Sequence, residues 1–438
     1  MPGAYLSLLV GAGCFSAPVF GQTALEEPEE RIFQYHSTND LADPVANLAR
    51  RVADGSIKLN FETGRGYLPA LLSALRVPAS SQSLVFSKTS SQRERINPQT
   101  PRAVYFADDI SVGWVPGGSV IELASVDPSR GPIFYTLDQS PVGTPKFTRR
   151  ADCFQCHLAP RTLNVPGLLV RSVYTASNGV PLGQVDGFIN GHNSPLKVRW
   201  GGWYVTGSHS GEPDLGNIFA TDPDHPEQLD RPTPAAAAVT GLQDRFDTTR
   251  YLSPHSDLVA LLVLEHQVRM QNLITRANYE TRSALDQQAK ESANVSNWPQ
   301  ERIAHAGEML LEYMLFRNEA PLSGPVRGTS AFAEEFQRGG PEASKGRSLR
   351  QLDLQTRLMR YPCSFLIYSA AFDGLPREMK NYLWRRLEQI LTGQDRSATY
   401  ATMAARDRQE VLEILLETKP EFAAWMRINN PGEELSSK

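Results

Sequence analysis

One pentapeptide combines residue types and spacing that suit the attachment of a cofactor. Cys153 and Cys156 are separated by Phe154 and Gln155, and His157 follows directly. Two thiols at this spacing lie on one turn of chain, so both can add to the two vinyl groups of one porphyrin. The adjacent histidine is then held under the iron as its proximal ligand. The pentapeptide therefore predicts one covalent haem c on Cys153, Cys156 and His157.

Three other chemistries use two cysteines at this spacing. A thioredoxin-like redox pair opens a helix after a strand in a βαβ unit, and the flanking residues 149–152 and 158–160 show no such pattern. A zinc site needs a second pair of ligands at metal spacing, whereas the remaining cysteines, Cys14 and Cys363, stand alone. A disulfide between Cys153 and Cys156 is the third alternative. The pattern favours haem and leaves these three open.

The motif does not determine the sixth ligand of such an iron. Small soluble cytochromes usually supply a methionine some tens of residues later, but the first methionine after His157 is Met270. His192 and His209 lie on polar segments with glycine, where a side chain can approach a planar group. His266 and Met270 are four positions apart and share one face of a predicted helix. The candidate distal ligands are therefore His209, His192, His266 and Met270, beside an open sixth position.

Each of these candidates has a plain structural alternative. The two loop histidines could be surface turn residues. His266 could be a satisfied buried polar group, and Met270 ordinary core packing. His305 and Met309 repeat the same spacing on the next predicted helix, which makes core packing the better explanation for a His–Met pair.

Charged and aromatic residues near the motif also have two interpretations. Arg149, Arg150 and Arg199 are candidates for pairing with haem propionates, and solvated cations are the alternative. The aromatic run 199–204 could wall a flat cofactor or form a core strand. Cys363 stands in an apolar context, which predicts an inert buried thiol.

Length, composition and charge limit the class of protein. The chain has 438 residues, 41% of them hydrophobic and 21% charged, which is typical of an ordered globular protein of one large or two to three ordinary domains. A formal net charge of −4 gives no basic excess, so no nucleic-acid partner is expected. Four cysteines are too few for a disulfide scaffold.

The N-terminal residues 1–21 predict a secretory signal peptide. Residues 5–20 are apolar but short for a membrane span, and Val19 and Gly21 supply small residues at the −3 and −1 positions of a cleavage site. No Lys or Arg precedes the apolar run, so a buried N-terminal helix is the alternative. No later apolar run is long enough to span a membrane. We therefore expect a soluble, exported, periplasmic protein with no transmembrane segment after signal removal.

Periodicity divides the rest of the chain into three regions. Residues 22–100 predict short helices at 47–53 and 67–75, and residues 101–225 form a β-rich region that carries the haem motif. Strands are predicted at 103–107, 111–115, 119–124, 133–137 and 168–174. Residues 250–438 are helical, with Ser253 as N-cap and Pro254 at the first helical position. The predicted helices are 258–278, 301–316, 349–360, 377–391 and 408–418. The expected fold class is α+β, with an α-helical C-terminal half.

Several segments resemble a broad group of large bacterial proteins with one C-x-x-C-H motif, described as cytochrome c domain-containing. They are residues 77–118, the motif with VPGLLVRSVY (165–174), RWGGWYVTGSH (199–209), VLEHQVRMQNLITRAN (263–278) and RYPCSFLIYS (360–369). The resemblance runs from about residue 65 to 395 and implies haem c on Cys153, Cys156 and His157 in an exported protein. It implies no agreed activity and no particular distal ligand.

These observations support three functions. One-electron transfer by an exported monohaem cytochrome is favoured, with a redox partner protein or a small-molecule donor or acceptor. A haem enzyme of the peroxidase or oxygenase type is the first alternative, because the chain is much longer than electron carriage needs and an open sixth position would accept a substrate. A haem-based redox or gas sensor, or a binding protein, is the second alternative.

Overall fold

The computed structural model describes residues 24–182, 187–209, 211–220, 238–290 and 297–430. These residues form an α+β fold, with a seven-stranded antiparallel sheet in the N-terminal and middle part and a helical C-terminal half. The expected fold class is confirmed at this level. The predicted signal peptide lies outside the described residues. Within the described ranges, no helix combines the length and apolar character needed to cross a membrane.

The sheet is a meander whose neighbouring strands mostly follow one another in sequence. Its order is β6-β5-β4-β3-β2-β1-β9, and β7 pairs separately with β8. The strands are β1 Ser83–Val85, β2 Arg102–Ala107, β3 Ile110–Trp114, β4 Val120–Asp127, β5 Gly131–Asp138, β6 Phe147–Arg149, β7 Arg171–Ser172, β8 Phe188–Ile189 and β9 Trp203–Tyr204. Short connections between antiparallel strands account for this order, because a hairpin needs only a few turn residues.

Helices cover the sheet and build the C-terminal half. They are α1 Glu27–Phe33, α2 Pro44–Ala53, α3 Leu68–Leu75, α4 Phe154–His157, α5 Leu258–Lys290, α6 Trp298–Met314, α7 Phe332–Gln337, α8 Ala370–Asp373, α9 Arg377–Leu391, α10 Ala398–Ala401, α11 Ala405–Thr418 and α12 Pro420–Asn429. Short 3-10 helices lie at Ala79–Ser81, Pro160–Thr162, Leu196–Val198, Thr248–Arg250, Ser344–Gly346 and Phe365–Tyr368. Most predicted helices agree with these bounds, and α9 matches its prediction at both ends.

The two faces of the sheet are covered by different helices. Alternate strand residues such as Tyr105 and Leu123 pack in one apolar cluster with α2 and α3. Residues of opposite parity, such as Val104 and Phe106, pack in a second cluster with α5 and the C-terminal helices. This division follows from the period of two along a strand, which sends successive side chains to opposite faces.

Helix α5 is the central element of the fold, and it begins at Leu258, as the predicted helix 258–278 does, instead of at Pro254. It has 33 residues, which corresponds to about 50 Å. Its first turn is capped by Asp257, whose Oδ1 accepts hydrogen bonds from the backbone of Val259 and Ala260, each at 2.9 Å. The prediction that Ser253 and Pro254 begin this helix is therefore wrong. A cap four residues later satisfies the free backbone N–H groups.

Two other predicted elements differ from the structure. Residues 349–360 form no helix, because Leu352 pairs with Met359 in an antiparallel bridge and the Asp353 carboxylate accepts backbone hydrogen bonds in the turn between them. A side chain that bonds the backbone in this way competes with helix formation. In the predicted strand 168–174, only Arg171–Ser172 is paired with another strand.

Candidate functional site

The cysteine–histidine pentapeptide forms one helical turn after the edge strand β6. Cys153 precedes α4 with helical backbone angles. Phe154 is fully buried, and its ring centroid lies 4.8 Å from that of Tyr35. Residues on one turn point in different directions, so Phe154 holds the turn to the core while Cys156 stays exposed and Cys153 is half-buried.

His157 has one ring nitrogen in use and one free. Its Nδ1 lies 2.8 Å from the Gly167 carbonyl oxygen, and the Gly167 N–H donates to the His157 carbonyl at 2.9 Å. A proton on Nδ1 makes the first contact a hydrogen bond and leaves the lone pair on Nε2, which has no partner within the described part of the chain. Burial lowers the pKa of His157 and keeps the ring neutral. The Phe134 ring packs 4.8 Å from it.

The segment after the motif is held from both sides, which fixes the position of Gly167. Thr162 Oγ1 donates to the Val165 carbonyl at 2.8 Å. On α5, the side-chain amide of Asn272 accepts from the Leu168 N–H at 2.9 Å and donates to the Leu168 carbonyl at 2.8 Å. A Cβ at position 167 would lie 2.6 Å from Asn272 Oδ1, so only glycine fits there. Helix α5 thereby orients His157 indirectly. Asn272 holds Leu168 in place, and the neighbouring Gly167 carbonyl binds the His157 ring.

The cysteines of the motif are free thiols, and the pKa of Cys153 is elevated rather than depressed. Burial, followed by the nearby carboxylates Asp152 and Glu122, raises the pKa of Cys153 to about 11. Redox-active cysteines have a depressed pKa and sit in electropositive surroundings. The turn also follows an antiparallel edge strand instead of opening a helix in a βαβ unit. Both observations count against the thioredoxin-like alternative.

The zinc alternative finds no support among the described residues, and Cys363 is remote from any such site. Within the described ranges, no group of three or more His, Cys, Asp or Glu side chains is arranged to hold a metal ion. Cys363 is fully buried, and burial raises its pKa to about 12, as expected for an inert thiol in an apolar environment.

A charge pair on the sheet acts on the motif electrostatically. Arg102 on β2 reaches across β3 to Glu122 on β4, with 2.7 Å between Nη2 and Oε2. Gly113 lies between them in the strand register, and a Cβ there would overlap the guanidinium of Arg102. The charge of Arg102 lowers the pKa of His157, and that of Glu122 raises it. The sequence pattern did not reveal this pair, because only strand register brings the two residues together.

Two of the candidate distal histidines contact each other. His192 Nδ1 lies 2.8 Å from His266 Nδ1, and His266 Nε2 lies 2.8 Å from the Ser364 hydroxyl. Both nitrogens of His266 are therefore engaged with protein groups. The Tyr313 ring stacks on His192 with 3.9 Å between centroids. Both histidines are buried, and burial lowers the pKa of His266 to about 3 and that of His192 well below its ordinary value.

A buried ion pair joins Glu265 of α5, next to His266 in the chain, to Arg199. Glu265 accepts from Arg199 Nη1 at 2.9 Å and from the Asn190 amide at 3.0 Å. The side chains of Arg199 and Glu265 are 3% and 0% exposed. Arg199 also donates to the carbonyls of Ser194 and His192. Its hydrogen bonds are thus directed into the core, which leaves no evidence for a role with a propionate.

The other two distal candidates are also engaged elsewhere. His209 Nε2 lies 2.9 Å from Asp214 Oδ2, in a half-buried pair. Met270 is fully buried in the apolar cluster around α5. No hydrogen bond or ring contact joins His157 to any of the four candidates within the described residues. The identity of the sixth ligand stays a prediction.

The remaining basic and aromatic candidates have structural partners. Arg149 donates to the carbonyls of Ser37 and Tyr35, and Arg150 forms a bidentate pair with Asp152 at 2.9 and 2.6 Å. The aromatic run is a core element, since Trp203–Tyr204 forms β9 and Trp200 is fully buried. The core-strand interpretation of this run is the one that the structure favours.

The donor set around α4 suits a covalently bound haem. Two free thiols lie on one turn, and the neighbouring imidazole is neutral, oriented through Nδ1 and unpartnered at Nε2. Metal-binding histidines commonly donate their second ring N–H to a backbone carbonyl, as His157 does to Gly167. The signal missed in the sequence is the Pro166-Gly167 turn, whose carbonyl completes this arrangement.

Comparison with known proteins finds no matching family model, no matching curated protein and no matching solved structure. The functional interpretation therefore depends on the chemistry of the residues themselves.

Proposed function

We propose that this protein is an exported, periplasmic c-type cytochrome that carries one covalent haem and transfers single electrons. The observation that supports the proposal most directly is the state of His157. Its Nδ1 is hydrogen-bonded to Gly167, its Nε2 is unpartnered among the described residues, and two free thiols lie on the same turn. This combination is what a proximal ligand and two thioether links require.

Each residue of the site would have a distinct role in holding the haem. Cys153 and Cys156 would hold the haem through thioether bonds, and His157 Nε2 would bind its iron, which supplies reversible one-electron chemistry. Gly167 keeps the proton on Nδ1 and fixes the plane of the ring. Phe134 and Phe154 exclude water from the inner side of the turn. Arg102 and Glu122 set the local charge.

The exposure of the turn supports electron transfer with an external partner. Cys156 is exposed, whereas the ring of Phe154 on the same turn is fully buried. A group linked to Cys156 is attached at the protein surface, where a redox partner protein or a small donor or acceptor can approach it. Electron transfer needs this access, and it needs no substrate pocket.

A haem enzyme is the second candidate, and one observation favours it. Each of the four side chains considered as distal ligands contacts other protein groups, although His192 Nε2 and His209 Nδ1 have no hydrogen-bond partner among the described residues. If none of them binds the iron, the sixth position is open to a small molecule, as peroxidase-like chemistry requires.

The test is haem-dependent peroxidase staining of the denatured protein on a gel, followed by absorption spectra with and without reductant. The wild-type chain is expected to stain at its own mass. Cys153→Ala combined with Cys156→Ala removes both links and should abolish the stain. Cys363→Ala is the matched control, since that thiol is buried away from the motif, and it should stain like the wild type.

The spectra then separate the two candidate functions. A low-spin spectrum that carbon monoxide does not change supports electron transfer. A high-spin spectrum that binds carbon monoxide supports the enzyme. Absence of the stain from the wild-type exported protein would refute both.

A further inference from the structure

A polar cavity lies in the C-terminal half, between α11 and the irregular segment 343–361. Its volume is about 420 Å³, within the range of small-molecule sites. Arg406, Glu410 and Glu413 line it from one side, because positions three and four apart share one face of a helix. None of the lining residues belongs to the haem motif or contacts it, so this cavity is independent of the proposed function.

The cations of this cavity outnumber the carboxylates that neutralise them. Arg347 pairs with Glu413 at 2.6 Å and with Glu417 at 3.5 Å. Arg406 pairs with Glu410 at 3.0 Å.

Two further lining cations, Lys345 and Arg360, have no carboxylate within salt-bridge distance in the described part of the chain. Both side chains are exposed, and the four lining cations exceed the three carboxylates Glu410, Glu413 and Glu417. The cavity is therefore electropositive.

Two uncharged polar groups also face this space. Tyr361 is only 2% exposed and lines the cavity. The Arg360 guanidinium lies over the Tyr361 ring, 5.5 Å from its centroid. Gln351 donates to the Gly346 carbonyl at 2.8 Å, while its Oε1 is buried without a partner. A buried amide oxygen without a partner costs free energy unless a ligand donor or solvent completes it.

We propose that this cavity binds a compact anion with two or more negative charges, held by Lys345, Arg360 and the Tyr361 hydroxyl. Guanidinium groups bind carboxylate and phosphate oxygens through paired N–H donors, and the ammonium and hydroxyl groups supply further donors. Two cations without a carboxylate partner attract an anion of two or more charges more strongly than an anion of one charge. Phosphate esters and polycarboxylates share this chemistry.

The proposal is tested by calorimetric titration of the full chain at low ionic strength. The probes are inorganic pyrophosphate and citrate, which distinguish the phosphate and carboxylate sources, and acetate is the monovalent control. Saturable binding of one equivalent of pyrophosphate or citrate is expected, with acetate at least about tenfold weaker.

Variants assign the binding to this cavity. Arg360→Gln and Lys345→Gln should each weaken binding about tenfold, and Tyr361→Phe should weaken it about threefold or more. Arg377→Gln is the matched control, because Arg377 is 85% exposed and lies outside the cavity, and it should bind like the wild type. Failure of both polyanions to bind saturably, or equal weakening by Arg377→Gln and Arg360→Gln, would overturn the proposal.

Discussion

His157 is partly buried and His266 fully buried, and their ring nitrogens are used differently. His157 has one nitrogen on the Gly167 carbonyl and one without a partner among the described residues. His266 has Nδ1 on His192 and Nε2 on Ser364. His157 lies on a short turn beside exposed residues, whereas His266 lies in the middle of a 33-residue helix inside the core.

The difference distinguishes a histidine that is available to bind a metal from a structural histidine. A metal ligand needs a neutral ring, one oriented nitrogen and one available lone pair. A structural histidine uses both nitrogens to satisfy buried neighbours, because an unpaired polar group in the core is costly. By this criterion His157 is the better ligand and His266 the better structural residue, although both have a lowered pKa.

The sharpest test replaces each histidine in turn. We expect His157→Ala to keep the covalent haem but to change its absorption spectrum completely, since the proximal ligand is lost. His266→Ala should leave the spectrum unchanged and lower the free energy of unfolding by about 2–4 kcal/mol, because His192 and Ser364 lose a partner. Absorption spectra and urea unfolding of both variants measure this.

A change of spectrum in the His266 variant would reverse the comparison, because His266 would then be the iron ligand. Conversion of a low-spin to a high-spin spectrum in His266→Ala would identify that residue as the sixth ligand. The same measurement on His192→Ala, His209→Ala and Met270→Ala covers the other candidates. If none of them changes the spin state, the sixth ligand lies outside this group or the position is open.

A second prediction concerns the ion pair beside His266. Arg199→Met leaves Glu265 buried without its cation, and the free energy of unfolding should fall by about 3–5 kcal/mol. Arg338→Met, which removes an exposed pair with Glu334, should cost at most about 1 kcal/mol. Combining Arg199→Met with Glu265→Gln should recover part of the loss. Equal effects of Arg199→Met and Arg338→Met in denaturant unfolding would contradict the structural role of this layer.

The third prediction is a pH dependence of stability. Burial lowers the pKa of His266 from 6.5 to about 3, so between these values the unfolded chain binds a proton that the folded chain does not. Its contribution to the free energy of unfolding is complete above the unfolded pKa. It falls with decreasing pH by about 1.4 kcal/mol per pH unit.

Comparison with a variant isolates this contribution. Burial raises the pKa of Glu265 to about 7, which acts in the opposite sense, so the wild-type slope alone is not diagnostic. His266→Gln should lose stability more slowly than the wild type between about pH 6.5 and pH 5 in urea unfolding. Parallel curves for the two proteins would show that His266 titrates normally in the folded state.

The smallest expected effect concerns the charges around His157. Glu122→Gln removes a negative charge near the motif and should raise the midpoint potential of the haem, because the oxidised form carries one more positive charge. Arg102→Gln should lower it, and both shifts are expected to be about tens of millivolts. Glu94→Gln is the control, since Glu94 is 88% exposed, and it should leave the potential unchanged. Spectroelectrochemical titration measures all three, and shifts of the same sign for Glu122→Gln and Arg102→Gln would contradict this electrostatic account.

The sequence pattern predicted helices and strands well where neighbouring residues in the chain determine them. The strands β2 to β5 follow from β-branched and aromatic runs between turn residues, and α9 follows from its apolar periodicity. The prediction of helices failed where a side chain outside the apolar periodicity determined where the helix begins or whether it forms. Asp257 caps α5 in place of the predicted Ser253. Asp353 accepts backbone hydrogen bonds in a hairpin-like loop where a helix was expected.

The amino-acid sequence alone predicted the attachment chemistry that we propose, because the cysteine spacing and the adjacent histidine lie within one turn and need no distant contact. Only the tertiary structure decided which histidine nitrogen is available. That choice depends on a glycine ten positions along the chain, an α5 side chain that holds its loop, and a core that engages both nitrogens of His266. Such partners are brought together by packing and strand register, and a linear pattern carries little information about either.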